Sequence, residues 1–463
     1  MADGGGLAYL SAGMLIEQFR SGAVSPVEVV QVLLERAEEH RALNALSALD
    51  AERSLTQAHA ALRRYRDGDA RPLEGVPVVV KDLIDTAGLA TTYGSRMFAG
   101  HVPDRDAAVV RAVRAAGGIV LAKTTTHEFA WGITTDGTAA GPARNPWRPD
   151  LVPGGSSGGS AAALAAGLAP LALGTDTAGS IRIPAGFCGV AGLKPTFGTV
   201  PTHGVFPLAP SLDTVGPMAR TVEDLELLLS VIAPAAVAAP ASRAPGRLVV
   251  GLWEQSYQAE CAPEIMDVVR AAVSAMAWAG AQVESVACDE LPALYPLLGV
   301  IVGAEGAAGH RQAGLWPDRR DEYLPTVRHR LEPASEVSLA RYAQAQRDRA
   351  LATTLTGRVL GAVDVVLSPV AGVPPAPIGH DADADSASAR EFRHRVMAFT
   401  ALQSLTGTPT CVVRAGFDAR GLPVGVQLTA AWGREHTLLQ AARLLQQALP
   451  DIQQRWPHDS VSE

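Results

Sequence analysis

The sequence predicts an α/β protein in which helices cover a central β-sheet, and three observations carry that prediction. A valine run at 78–80, bracketed by Gly75-Val76-Pro77 and Lys81-Asp82, reads as a short buried strand. Residues 104–116 carry apolar side chains at helical spacing and stop at Gly117-Gly118, and residues 119–122 form a second apolar run leading into Lys123. Strand, helix, strand is the rhythm of a parallel sheet with helices packed on it.

The elements before this unit are helical. Ser25-Pro26 supplies an N-cap and a proline at the first helical position for a helix over 27–39, and residues 50–66 form a second. After it, an Ala- and Gly-rich helix over 157–167 allows close approach of neighbouring backbones and is followed by a strand at 171–174. Thr221 caps a helix over 221–232 with Glu223 and Asp224 in its first turn. Residues 233–247 read as an Ala/Pro-rich connector, and a strand at 248–252 restarts the pattern. Helices at 263–279, 339–360, 393–405 and 437–449 then alternate with strands at 282–286, 363–367 and 424–428. The Pro-rich, then Asp/Ala/Ser-rich stretch 369–390 is expected to be a loop bordering a pocket. The expected organisation is a single domain over 7–455: a helical region 7–70, a catalytic core 71–232, the connector 233–247 and a C-terminal α/β portion 248–455.

Composition narrows the function. With 48% hydrophobic and 19% charged residues, the chain can bury a sizeable core. Its net charge of −8, with acids scattered throughout, offers no basic stripe for nucleic acid or an anionic membrane. Residues 1–6 lack the basic start and apolar core of a signal peptide, and the longest apolar stretch, 161–173, is broken by Gly167 and Pro170. The expectation is a cytoplasmic protein without a membrane span. Cys188, Cys261, Cys288 and Cys411 are far apart and read as buried free thiols.

Of the 39 basic residues only three are lysines: Lys81, Lys123 and Lys194. Where arginine serves wherever a plain positive charge suffices, a retained lysine points to something arginine cannot do. Arginine stays protonated in proteins, whereas a buried lysine can lose its proton near neutral pH. Lys81 closes the valine strand, where desolvation would favour its neutral form. Lys123 is expected to hold a carbonyl or carboxylate structurally, and Lys194 to bridge backbone.

The densest feature is Pro153-Gly-Gly-Ser-Ser-Gly-Gly-Ser160 followed by Gly174-Thr-Asp-Thr-Ala-Gly-Ser-Ile-Arg182. Glycines beside a serine let a substrate sit against main-chain N–H groups. Consecutive amides of Thr177, Ala178, Gly179 and Ser180 can point at one spot beside the Ser180 hydroxyl, as an oxyanion hole requires. A serine hydroxyl needs a base, no histidine stands in either motif, and lysine is the best remaining candidate. Gly154-Gly-Ser-Ser-Gly158 also fits the nucleophile elbow of Ser-His-Asp esterases, but Asp213, His310 and His394 stand in no matching context. His127-Glu128 is half of a zinc-helix motif whose second histidine position holds Trp131, so neither metal nor cofactor is implied.

These motifs, together with Gly75-Val-Pro-Val-Val-Val-Lys-Asp82 and Cys188-Gly-Val-Ala-Gly-Leu-Lys-Pro-Thr196, resemble those of the amidase signature hydrolases over nearly the whole chain. The resemblance implies a large mixed central sheet with helices on both faces. It makes Lys81 the catalytic base, Ser156 a relay whose peptide bond is cis, and Ser180 the nucleophile. By composition alone Ser157 is as well placed as Ser156. The resemblance further puts the oxyanion amides at Thr177–Ser180 and bracing hydrogen bonds at Ser157, Asp176 and Arg182. Ala178 stands where glycine is commoner, which bears on substrate fit. Ile183 stands where members of the glutamine-dependent transamidation complex carry Gln, which disfavours that role. The expected activity is hydrolysis of amides or carbamates (urethanes) without a cofactor, by a monomer or homodimer, with a small-molecule substrate as partner. Phe129, Trp131 and residues 300–308 are the expected pocket walls.

Overall fold

The computed structural model describes residues 4–238, 248–253, 260–287, 294–380 and 386–457. Its frame is one sheet of eleven strands: β1 (Leu46–Leu49), β2 (Pro77–Lys81), β3 (Ile119–Thr124), β4 (Leu171–Asp176), β5 (Ala191–Lys194), β6 (Thr214–Ala219), β7 (Val249–Leu252), β8 (Gln282–Ser285), β9 (Val365–Pro369), β10 (Thr410–Phe417) and β11 (Pro423–Thr429). Their spatial order is β1-β3-β2-β4-β6-β5-β10-β11-β9-β7-β8. The parallel rhythm expected from sequence holds in two places: β2 runs parallel to β3 and β4, and β7 runs parallel to β8 and β9. Between them lies an antiparallel block, β4-β6-β5-β10-β11-β9, which makes the sheet mixed.

Three strands of that block, β5, β6 and β10, were not anticipated. Physical reasons are visible in their composition. β5 is only Ala-Gly-Leu-Lys, β6 is interrupted by Gly216-Pro217, and β10 is broken by a register shift between Arg414 and Gly416. The short strand β1 was likewise missed.

Where the sequence signals are strong, the elements follow them. Helix Pro26–Glu39 begins with a complete capping box, Ser25 and Glu28 each hydrogen-bonding the other's backbone. Asp50 caps helix Ala51–Asp67, and Thr221 caps helix Val222–Ile232. The helix read at 104–116 is shorter, Ala108–Ala115, because Asp106 turns its carboxylate to the Ala87 amide instead of entering the first turn. Helix Gly158–Ala165 is buried along its whole length and packs on β2, β3, β4 and β6. A Cβ on Gly159 would lie 2.5 Å from both N and O of Thr125, so only glycine permits this approach.

The helix expected at 393–405 is two helices, Ala387–Met397 and Ala401–Thr406. The break exposes the Thr400 carbonyl to Arg182 while the Thr400 hydroxyl donates to the Ala178 carbonyl. Helices Leu294–Gln312 and Pro325–Ala334 were not read as helices, the first because glycines at 299, 303, 306 and 309 mask its pattern. In the connector, Pro234–Ala238 is a short helix, and residues 239–247 lie outside the described residues, as do Cys288 and residues 381–385. Cys188, Cys261 and Cys411 are buried free thiols. The expectation that the 369–390 stretch borders a pocket holds for a small one, lined by Val370, Ala371, Val373, Pro374 and Pro375 with Phe187 and Pro423; among the described residues it does not line the large cavity described below. Its first part instead pairs with the chain just before Gly154, through Val152 N donating to Ala376 O and a Leu151–Pro377 bridge.

Candidate active site

Lys81 is carried to the centre of the molecule by the valine strand. Its Nζ lies 2.7 Å from Ser156 Oγ and 2.6 Å from Thr175 Oγ1, and the side chain is wholly buried. Burial disfavours the ammonium and brings its pKa down to about 7, against the opposing pull of the Asp176 and Asp213 charges. Asp82, the next residue, points away: its carboxylate accepts from the amide and hydroxyl of Thr92, on the side of Lys123. Lys123 donates to the Ile84 carbonyl and to Thr86 and Thr91, and Lys194 to the Pro195 carbonyl, so both are occupied by protein oxygens.

Ser156 and Ser157, equivalent by composition, differ in what their hydroxyls meet. Ser156 turns its hydroxyl to Lys81, and the peptide bond from Gly155 to Ser156 is cis. The Ser157 hydroxyl instead lies on the backbone of Thr175, donating to its carbonyl at 3.2 Å and accepting from its amide at 3.3 Å. The Ser157 amide donates to the Ser180 carbonyl, tying the two motifs together. Thr126 Oγ1 donates to the Ser156 carbonyl and fixes that side of the turn.

Ser180 sits on the turn between β4 and helix Arg182–Cys188, 4% exposed, and lines a cavity of about 510 Å³. No hydrogen bond links its hydroxyl to that of Ser156 among the described residues. The turn is held by Asp176. One of its carboxylate oxygens accepts from Gly179 N at 2.8 Å, the other from Ile181 N and from Arg182 Nε, and Arg182 Nη2 closes a two-point ion pair. Burial alone would raise the Asp176 carboxyl, but the charge and hydrogen bonds of Arg182, with Lys194 and the Gly179 amide, hold it below the usual carboxylate range.

Two sequence expectations need correction. The Gly179 amide is committed to Asp176, which leaves the amides of Thr177, Ala178 and Ser180, none of them hydrogen-bonded among the described residues. The Thr177 hydroxyl donates to Asp213. Phe129 is not a pocket wall. It is fully buried behind the cavity, edge-on to Phe98 and His310 and against Phe206 and Tyr323. Trp131 does line the cavity, as do Val300, Val302 and Gly303 of the anticipated 300–308 wall. A Cβ on Gly306 would meet the Trp131 ring at 2.8 Å, so glycine there lets the indole lie against the helix.

Nor, among the described residues, does any histidine hydrogen-bond Asp213 as an esterase triad would require. That carboxylate accepts from Thr177 and from the amides of Leu208 and Ala209. His310 shares a hydrogen bond with Tyr323, and His394 pairs with Glu260. Glu128 accepts from Ser95 and from the Leu324 amide.

Sequence reading missed the residues that anchor Arg182 from the far end of the chain. Its guanidinium donates to the Thr400 carbonyl, Gln403, Ser404 and Gln427. Polar residues at 400, 403 and 404 within an apolar stretch lie on one helical face, and Gln427 interrupts an otherwise apolar strand; both were available signals. Thr175, the second partner of Lys81, had none beyond its place in the motif.

Comparison with known proteins adds to this geometry. The Amidase family model matches residues 28–439. A glutamyl-tRNA(Gln) amidotransferase subunit of Ralstonia nicotianae is 37% identical, the match covering 94% of this chain and 96% of that protein. A crystal structure of an amidase is 32% identical with a TM-score of 0.87, covering 95% of this chain and 99% of its own. 6-Aminohexanoate cyclic dimer hydrolase, in complex with its substrate, is 29% identical with a TM-score of 0.87, covering 97% and 99%.

Proposed function

The chain belongs to the Amidase family, a family of hydrolases, and on that premise we propose that it cleaves C–N bonds of amides or carbamates through Ser180, Ser156 and Lys81. The observation that carries the proposal is the 2.7 Å contact between Lys81 Nζ and Ser156 Oγ in a site dry enough to bring the lysine to about 7. Neutral Lys81 takes the Ser156 proton while Ser156 takes that of Ser180, and the freed Ser180 oxygen bonds to the substrate carbonyl carbon. The carbonyl electron pair moves onto oxygen, where the Ala178 and Ser180 amides stabilise it, with Thr177 a further candidate. Collapse of this intermediate breaks the C–N bond, and the leaving amine receives the proton back through Ser156. Water, deprotonated by the same relay, then cleaves the acyl-enzyme or carbamoyl-enzyme ester and restores Ser180.

A second reading, membership of a transamidation complex, is favoured by the names of the curated relatives. Against it stands Ile183, which packs with Ile133, Phe187, Phe392 and Val396. The two readings separate when the purified chain alone is offered an anilide, an aryl carbamate and an ester. Turnover without a partner supports the independent hydrolase. Alanine at Lys81, Ser156 or Ser180 is expected to lower that turnover by at least about a thousandfold. A fully active Lys81→Ala variant, with turnover abolished by a histidine substitution instead, would overturn the mechanism.

A further inference from the structure

Asp213 is a carboxylate that the mechanism above does not use, although it bonds directly to the turn that carries Ser180. Strand β4 pairs antiparallel with β6 as far as Asp176 opposite Thr214, and just beyond that pair Thr177 Oγ1 donates to Asp213 Oδ1 at 2.6 Å. The other contacts are main-chain donors: Leu208 N reaches Oδ2 at 2.9 Å, and Ala209 N reaches both oxygens at 3.1 Å. Every hydrogen-bond partner of this side chain among the described residues is thus a donor, as an ionised carboxylate requires. The segment carrying it is itself tied down. Leu212 N and Asp213 N both donate to the Ala209 carbonyl. Ser211 gives its amide and hydroxyl to Glu305 of helix Leu294–Gln312, and Arg349 of helix Leu339–Ala362 donates to the Ser211 carbonyl and hydroxyl. Leu208, in the same segment, lines the cavity.

We propose that Asp213 is a positioning residue for the reaction at Ser180: by holding the Thr177 hydroxyl it fixes the chain on which the amides of Thr177, Ala178 and Ser180 face the substrate oxygen. The rest of that chain is held by other groups, Asp176 on the Gly179 and Ile181 amides and Thr400 on the Ala178 carbonyl. At Thr177 the side-chain anchor is Asp213. Amides stabilise an oxyanion only when they are already aimed at it, so losing the anchor should slow bond-making more than it weakens substrate binding. The charge of Asp213 has a second effect. Burial favours the neutral form of Lys81, and the Asp176 and Asp213 charges oppose it, so removing one of them leaves the lysine with a weaker hold on its proton. Burial raises the Asp213 carboxyl itself, against the hydrogen bonds from Thr177, Ala209 and Leu208, and the Glu305 charge adds to the rise. The inference rests on Ser180 being the nucleophile and Lys81 the base, as proposed above.

The test compares Asp213→Asn, Thr177→Val, their double variant and Thr177→Ser by two readouts on the purified chain. One is turnover of p-nitrophenyl butyrate and of butyric p-nitroanilide; the other is the rate of labelling by a fluorophosphonate, with the modified residue identified by mass spectrometry. Labelling reads the inference even where neither substrate is turned over. Asp213→Asn and Thr177→Val are each expected to lower kcat and the labelling rate about ten- to a hundredfold with KM within about twofold, and the double variant to be no worse than the slower single one, because both cut the same link. Thr177→Ser keeps the hydroxyl and should recover most of what Thr177→Val loses. The acid limb of the pH profile should move to lower pH in Asp213→Asn, where the charge is gone, and stay in place in Thr177→Val, where it remains. A general loosening of the fold has no reason to sort the two variants in that way. Losses that add in the double variant, single variants as fast as wild type, or a limb that moves in neither overturn the inference and leave Ser180 as the nucleophile. If the fluorophosphonate leaves Ser180 unmodified and Ser180→Ala equals wild type on both substrates, the mechanism itself fails and the inference with it.

Discussion

Behind Ser180 lie β2, β4 and helix Gly158–Ala165, in which every residue is buried; in front of it lie helices whose facing side chains range from buried to exposed. The rear region has almost no spare volume, and each polar group in it meets a specific partner: Lys81 with Ser156 and Thr175, Ser157 with Thr175, Asp176 with Arg182. The front region tolerates open space and glycines with nothing near them. Under the proposed mechanism, the contrast separates the place of the chemistry from the place where substrate would be chosen. A reaction centre that must hold a neutral lysine requires dryness and fixed partners, while a cavity that sorts substrates needs only the right mixture of apolar surface and charge.

Four experiments would break or sharpen that contrast. The largest effect is expected at the lysine. If Lys81 is the base proposed above, activity requires its neutral form, so kcat/KM should fall about tenfold per unit as pH drops below about 7, and Lys81→Arg, which cannot deprotonate, should lose at least about a thousandfold at every pH. Burial also raises Glu128 to about 7, so the profile of Glu128→Gln must keep the same limb for the assignment to Lys81 to survive. Next comes Arg182→Ala, which strands the buried Asp176 carboxylate; denaturant unfolding should show a loss of about 3–5 kcal/mol. Gly159→Ala pushes a methyl into the Thr125 backbone and should cost about 1–3 kcal/mol in the same assay. Smallest is Gly299→Ala on the cavity helix, where a Cβ meets nothing within 4 Å; a gain of about 0.5–1 kcal/mol, seen as a raised Tm, is expected. Equal penalties for the two glycines would erase the distinction between the regions.

The same distinction explains what could be read from the chain. That Lys81 and the two serine motifs come together was legible because the constraints are local: a valine run ending in lysine, and glycines flanking serines within two short motifs. The helix pair at 294–312 and 325–334 was not, because its glycines, and Pro333 within the second, obscure the helical pattern that packing restores. Phe129 was misplaced for a related reason. Its neighbour Trp131 does face the cavity, but the backbone at 129 and 130 takes positive φ, which turns the two rings in different directions and which no propensity argument anticipates. The antiparallel centre of the sheet rests on strands as short as four residues, paired with partners over two hundred positions away, and such pairing leaves little trace in local sequence.

The scarcity of lysine has a consequence outside catalysis. All three lysines are buried, at 0%, 0% and 1% exposure, so no side-chain amine reaches the surface of the folded protein. Acylating reagents, aldehyde crosslinkers and reductive methylation find no lysine to modify until the fold opens, when three become available together. Amine labelling therefore reports unfolding against a nearly silent background, and attachment of the native protein to a support calls for a different handle.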